Sequence, residues 1–130
     1  MCQLDDIEKH EVLIRAIFPQ FLVEPRTGKI NSGAFKDPNG CSVDRVGNRC
    51  CEHANRIVVE RFKKQDCKHV GNVKKSDCDE IGLFTFHCAT KKNDYHCEIH
   101  DSKNKRELTD VHANQLANRC ELIVLLPKGL

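Results

Sequence analysis

The run LFTFHCATKKNDYHCEIH, residues 83–100, constrains the fold more than any other part of the chain. Two stretches of strand-forming composition flank the polar connector KKND, which is the pattern of an antiparallel hairpin. A two-stranded ribbon is not stable by itself in water, so the remaining sequence must supply further strands and covering helices. In the second strand His96, Glu98 and His100 fall on alternate residues. All three side chains then leave one face, successive pairs about 6.6 Å apart, while Cys97 and Ile99 turn into the core.

Two imidazoles and a carboxylate form the ligand set of a two-histidine, one-carboxylate metal centre. Without a metal the same groups can act as general acid and base, because histidine titrates near neutrality. The alternation is equally what the wet outer face of an ordinary antiparallel strand looks like. The helical metalloprotease pattern H-E-x-x-H is absent. We assign no metal and no cofactor from sequence.

The other elements follow from spacing. EVLIRAIF, residues 11–18, reads as a strand that ends at Pro19 and has Arg15 embedded in it, with a helix running through from Asp5 as the competing reading. Turn residues Pro25, Gly28, Pro38 and Gly40 then bound two extended pieces, KINSGAF and CSVD. In RCCEHANRIVVERFKK, residues 49–64, Cys51, Ala54, Ile57, Val58, Arg61 and Phe62 recur at helical spacing. CKHVGNVKK suits a short strand, and SDCDEIGLF a short helix capped by Ser76, with Asp79 and Glu80 in its first turn and a stop at Gly82. Near the end, Thr109 caps a helix whose apolar stripe is Val111, Leu116, Ala117, Cys120 and Val124. This order predicts an α+β fold: one compact domain over residues 1–130, with a mostly antiparallel sheet and two main helices.

Length and charge limit the function. The 130 residues, 39% of them hydrophobic, can fill one core. The 21 basic and 19 acidic side chains nearly cancel, so a net charge of +2 gives no global attraction to nucleic acid or to an anionic membrane. The start, MCQLDDIEKH, lacks the basic and apolar pattern of a secretory signal, and no apolar run approaches the roughly 20 residues of a spanning helix. The expectation is a cytoplasmic protein without membrane contact. Nine cysteines, an odd number with no C-x-x-C, read mainly as free thiols used as small buried hydrophobes. Cys50 and Cys51, at a helix start, are the pair whose thiols a dipole could activate.

Several other residues carry chemistry. Arg15 in an apolar strand must be paired, with Glu24, Asp37 and Asp44 as candidate partners, or must hold a phosphate or carboxylate. GAFKDPNGCSVDR is no phosphate loop; either Ser42, Asp44 and Arg45 are binding residues that line a site, or Asp37 and Asp44 simply close turns. Residues 61–75 are basic, with Arg61, Lys63, Lys64, Lys68, Lys74 and Lys75 against Asp66 alone. That gives a weak nucleic-acid surface, because no aromatic residue after Phe62 interleaves with it.

Two likenesses follow from these residues. Ser32, Ala34, Phe35, Lys36 and Asp37, then Ser42, Val43 and Asp44, then His96 and Glu98 resemble the S-x-A-F-K-D, S-V-D and H-x-E blocks of a small uncharacterised bacterial and phage family. The resemblance implies a bacterial or phage origin and one intact domain, without naming a reaction; the cysteines and His100 fall outside its pattern. The order Arg15, Ser32, Glu98 is similar to the arginine, serine, glutamate plan of ADP-ribosyltransferase-like toxins. That likeness implies that the arginine and serine hold a dinucleotide while the glutamate helps transfer.

Two functional expectations result. One is a small accessory or binding module, of the kind found in defence or toxin–antitoxin-like systems, with a protein or nucleic-acid partner. The other is a small enzyme or toxin-like effector, nuclease-like or ADP-ribosyltransferase-like, acting on a nucleotide or nucleic acid. In it His96 and Glu98 form the acid–base pair, His100 assists, and Arg15, Ser32 or Arg45 holds an anionic group. Catalysis requires Arg15, His96 and Glu98 to line one concave pocket, whereas a module needs an exposed apolar or charged patch.

Overall fold

A computed structural model describes residues 3–4, 7–24, 29–104 and 106–125. In chain order its elements are β1 (Gln3–Leu4), β2 (Val12–Ile17), β3 (Leu22–Glu24), β4 (Lys29–Ile30), β5 (Cys41–Arg45), α1 (Cys51–Arg61), β6 (His69–Lys74), α2 (Lys75–Ile81), β7 (Phe84–His87), β8 (His96–His100), α3 (Asp110–Arg119) and β9 (Glu121–Val124). Seven strands form one sheet in the order β1-β7-β8-β5-β2-β6-β9, all neighbours antiparallel. β3 and β4 make a separate ribbon. The expected hairpin is present as β7 and β8, with Phe86 opposite Glu98. The whole is a single compact α+β domain.

Alternation along the strands assigns each residue to a face. The first face carries Leu13, Ile17, Cys41, Val43, Val73, Cys97 and Ile99, and is covered by α2, α3 and a 3-10 turn at Ser32–Phe35 that inserts Ala34 and Phe35. Leu13, Ile17, Phe35, Cys97 and Ile99 are wholly buried there. Each large one contributes roughly 1.5–3 kcal/mol of transfer free energy. The second face is covered only in part. α1 lies over β2 and β6, where Ala54 and Val58 meet Ile14 and Val70, with Ala16 and Phe62 alongside. Ser42, Asp44, His96 and Glu98 stand on the same face beside the helix rather than beneath it.

The structure corrects several local expectations. KINSGAF is extended only through Ile30; the Asn31 side chain then accepts from the Gly33 amide and rolls the next four residues into the 3-10 turn, so Ser32 is not on a strand. The expected short helix is present as α2 and stops at Gly82, but it starts at Lys75 rather than after Ser76. The Lys75 and Ser76 amides donate to the carbonyls of Glu11 and Lys9, so the neighbouring chain, not a serine side chain, satisfies the helix start. α3 begins at the expected Thr109 cap, whose side chain accepts from the His112 amide. It ends at Arg119, and the following ELIV pairs with β6 as an edge strand, so Cys120 and Val124 do not extend the helical stripe. Val111 and Val124 are 65% and 52% exposed.

Cysteines mostly pack as small apolar groups: Cys41, Cys67, Cys78 and Cys97 are buried free thiols. Cys88 differs, being disulfide-bonded. Burial pushes the thiols of Cys97 and Cys120 up to about 12, and those of Cys41, Cys51, Cys67 and Cys78 upward as well. That is the wrong direction for a nucleophile. No helix among the described residues is long and apolar enough to cross a membrane.

Candidate functional site

His96, Glu98 and His100 do share one strand face, with Cys97 and Ile99 fully buried behind them. They converge on each other. His96 Nε2 lies 3.3 Å from Glu98 Oε2, and His100 Nε2 lies 2.9 Å from Oε1. A carboxylate only accepts, so each Nε2 carries the hydrogen it donates. His100 Nδ1 is buried and has no partner among the described residues, a position that a bare lone pair occupies at less cost than an unmet N–H. His96 Nδ1 has no partner among the described residues, and His96 lines a cleft. The three side chains do not aim their donor atoms at a common external point, because both oxygens of Glu98 are already engaged. Among the described residues, no group of three or more His, Cys, Asp or Glu is arranged to hold a metal.

Burial raises the Glu98 carboxyl, but the hydrogen bonds from His100 and His96 outweigh it and hold the group below its ordinary range. Glu11 is lowered in the same way: burial opposes, and Arg45 and the Gly47 amide prevail. A carboxyl lowered by folding contributes stability that is full above its unfolded pKa, near 4.5. That contribution is lost as pH falls through the folded value. Urea unfolding followed from pH 7 to pH 3 should therefore show stability dropping below about pH 4.5. In Glu98→Gln the drop should be shallower; an unchanged slope would mean that the imidazoles do not hold this carboxylate.

The cleft, about 490 Å³, lies between β5, β8, the connector of the hairpin and the last turn of α1. Asp44 is its electrostatic centre. The side chain is 4% exposed, and it accepts from Arg61 Nη1 at 2.9 Å and Nη2 at 3.0 Å, and from Asn93 Nδ2 at 3.1 Å. Arg49 Nη2 stands 3.9 Å away, its guanidinium stacked 3.6 Å over Tyr95. One buried carboxylate thus ties α1 and the connector to β5.

Strand register explains why these groups meet. The Arg45 amide donates to Tyr95, so odd residues of β5 bond towards β8, and the backbone groups of Ser42 and Asp44 face β2. Their pairings with Glu98 and His96 are then of the non-hydrogen-bonded kind, in which side chains stand closest. Arg15 enters where β2 and β5 part, after Ile14 and Asp44. Its Nε donates to the Ala34 carbonyl at 2.8 Å and its Nη1 to the Ser42 carbonyl at 2.8 Å. Alternation starts the side chain on the face of Leu13 and Ile17, the guanidinium meets the Ser42 carbonyl at the gap in the ladder, and Arg15 is among the residues that line the cleft. The expected ion pair with Asp37 or Asp44 is not found, since among the described residues no carboxylate pairs with Arg15, and the Glu24 side chain lies outside the described residues.

The remaining candidates separate. Ser32 does not line the cleft, although Ala34, two residues on, holds Arg15. Arg45 points to the opposite face from Asp44, as alternation requires, and makes a two-pronged pair with Glu11 at 2.7 Å in a second cleft of about 480 Å³ beside His87 and Tyr95. In the basic stretch Arg61 is committed to Asp44 and Lys75 is buried against Asp79, whereas Lys63 and Lys68 pair with Glu60 and Asp66 in the open and Lys64 and Lys74 are exposed. Sequence reasoning missed Lys92 and Asn93, which were read only as a connector. It did place Arg61 on the inward stripe of α1, and an arginine among Ala54, Val58 and Phe62 was the signal that a buried carboxylate awaited it.

No family model, curated protein or solved structure matches the chain.

Proposed function

We propose that this protein is a small accessory module that binds its ligand in the cleft between β5, β8 and the end of α1, not through a broad docking face. One observation carries the reading: Arg15, Ser42, Asp44, Arg61 and His96, from four separate elements, line one concave site. Large exposed apolar residues among the described ones are Val111 and Val124, which make no contiguous patch of the size that marks a protein interface.

A second reading rests on the His96 ring. Glu98 fixes its Nε2 as the protonated nitrogen and leaves Nδ1 as a lone pair at a residue lining the cleft. That is how a carboxylate prepares a histidine for proton abstraction, and it makes His96 the general base and Glu98 its positioning partner if the site is reactive. Nuclease-like or ADP-ribosyltransferase-like action on a nucleotide belongs to this reading.

A titration of the full chain with a nucleotide and fragment set, followed by amide NMR, tests both. Ligands should shift the amides of Ser42, Asn93 and His96 together. Shifts confined to residues 63–68 or to the edge strands overturn the cleft. Mass analysis of the incubated ligand then separates the readings: turnover that disappears in His96→Gln, with binding retained, makes the protein an enzyme.

A further inference from the structure

We propose that the cleft selects a small organic anion in which a flat apolar ring is joined to a phosphate or carboxylate head. This inference rests on the cleft being the working site and adds the class of its ligand.

The cleft has two chemically different ends. Its apolar wall is Phe18, Phe62, Val58, Ile14 and Ala16. The two rings meet edge to face, with centroids 5.5 Å apart and planes at 89°. Such a corner offers one aromatic face and one aromatic edge to a third ring, the geometries that π systems favour. A purely polar ligand would leave this wall wet.

At the other end the charges do not balance. Arg15, Arg61 and Lys92 line the cleft together with Asp37 and Asp44. Arg61 and Asp44 satisfy each other through two short hydrogen bonds. Asp37 Oδ1 is occupied by the Asn39 amide in the turn before β5. Arg15 is fixed by two carbonyls, which hold its orientation and cancel none of its charge. Lys92 is exposed on the connector, and among the described residues it has no partner. Two cations therefore stand against one carboxylate, and the inner cation is already immobilised, so an anion need not order it on binding. Ser42 also lines the polar end. The volume of about 490 Å³ fits a small molecule and not a protein segment.

The probes are phenyl phosphate and phenylacetate, with inorganic phosphate, acetate and benzyl alcohol as fragments, each titrated into the full chain by calorimetry and amide NMR. At least one aromatic anion should bind tenfold or more tightly than its own head group and than benzyl alcohol, shifting Ser42, Asn93 and His96. Comparing the two aromatic anions identifies the head. Lys92→Glu, a change on an exposed connector, should weaken that binding about tenfold at low salt, and 0.5 M salt should do the same in the parent. Phe62→Leu, which keeps the apolar volume but removes the ring, should weaken it about fivefold. If benzyl alcohol binds as well as the anions, or Lys92→Glu changes affinity less than twofold while the same amides shift, the ligand class is wrong and the cleft remains the site. If no probe moves the cleft amides but other ligands do, the class is again wrong; if no ligand of any kind does, the cleft reading falls with it.

Discussion

Gly40→Ala is expected to destabilise the domain by about 3 kcal/mol, from left-handed strain and overpacking together. Gly40 has φ of +98°, in the region L side chains rarely adopt, and it is buried against His100. A Cβ there would lie 2.1 Å from His100 Cε1 and 2.5 Å from Nε2. The imidazole cannot swing away cheaply, since it is 2% exposed and packed edge-on against Phe86, with centroids 5.4 Å apart. Moving it also breaks the hydrogen bond to Glu98. Urea unfolding of Gly40→Ala, His100→Ala and the double variant separates the two causes. Removing the ring should restore the overpacking share, so the double variant loses less than the sum of the single ones, leaving the backbone strain of roughly 1–2 kcal/mol. Strict additivity would mean that the ring and the new methyl never meet.

Asp44→Ala should cost about 2–3 kcal/mol, below the full penalty for breaking a buried pair because Arg61 can turn its exposed side into water. The carboxylate is 4% exposed and the arginine side chain 37%. What the substitution removes is the tie between α1, the connector and β5, so the loss has a local signature. Hydrogen exchange should accelerate at residues 92–95 and at the last turn of α1, while β2 and β6 keep their protection until global unfolding. Arg61→Ala should reproduce that pattern more weakly, and the double variant should add little beyond Asp44→Ala. Uniform acceleration across the sheet would show that Asp44 serves the core and not the cleft.

The hairpin, β2, β5, α1 and the α3 cap were legible because local periodicity and turn chemistry act within a few residues. So was the sharing of one face by His96, Glu98 and His100, which follows from the two-residue repeat of a strand whatever lies around it. The misread elements were those settled by distant partners. The start of α2 depends on carbonyls of Lys9 and Glu11, and ELIV becomes a strand because β6 offers it an edge. Arg15 shows the same divide: sequence marks it as a cation that needs a partner, but two carbonyls at a break in the β2–β5 ladder supply that partner.

By itself, then, the sequence determined the fold class, the faces of its strands and the sharing of one face by His96, Glu98 and His100, since these depend on short-range geometry that any strand imposes. Only the tertiary structure decided that Asp44, Arg61, Asn93 and Arg15 join His96 around one cleft while Ser32 and Arg45 fall elsewhere. Which residues meet across a sheet is fixed by strand order, register and the one partly covered face, and these arise from packing the whole chain at once.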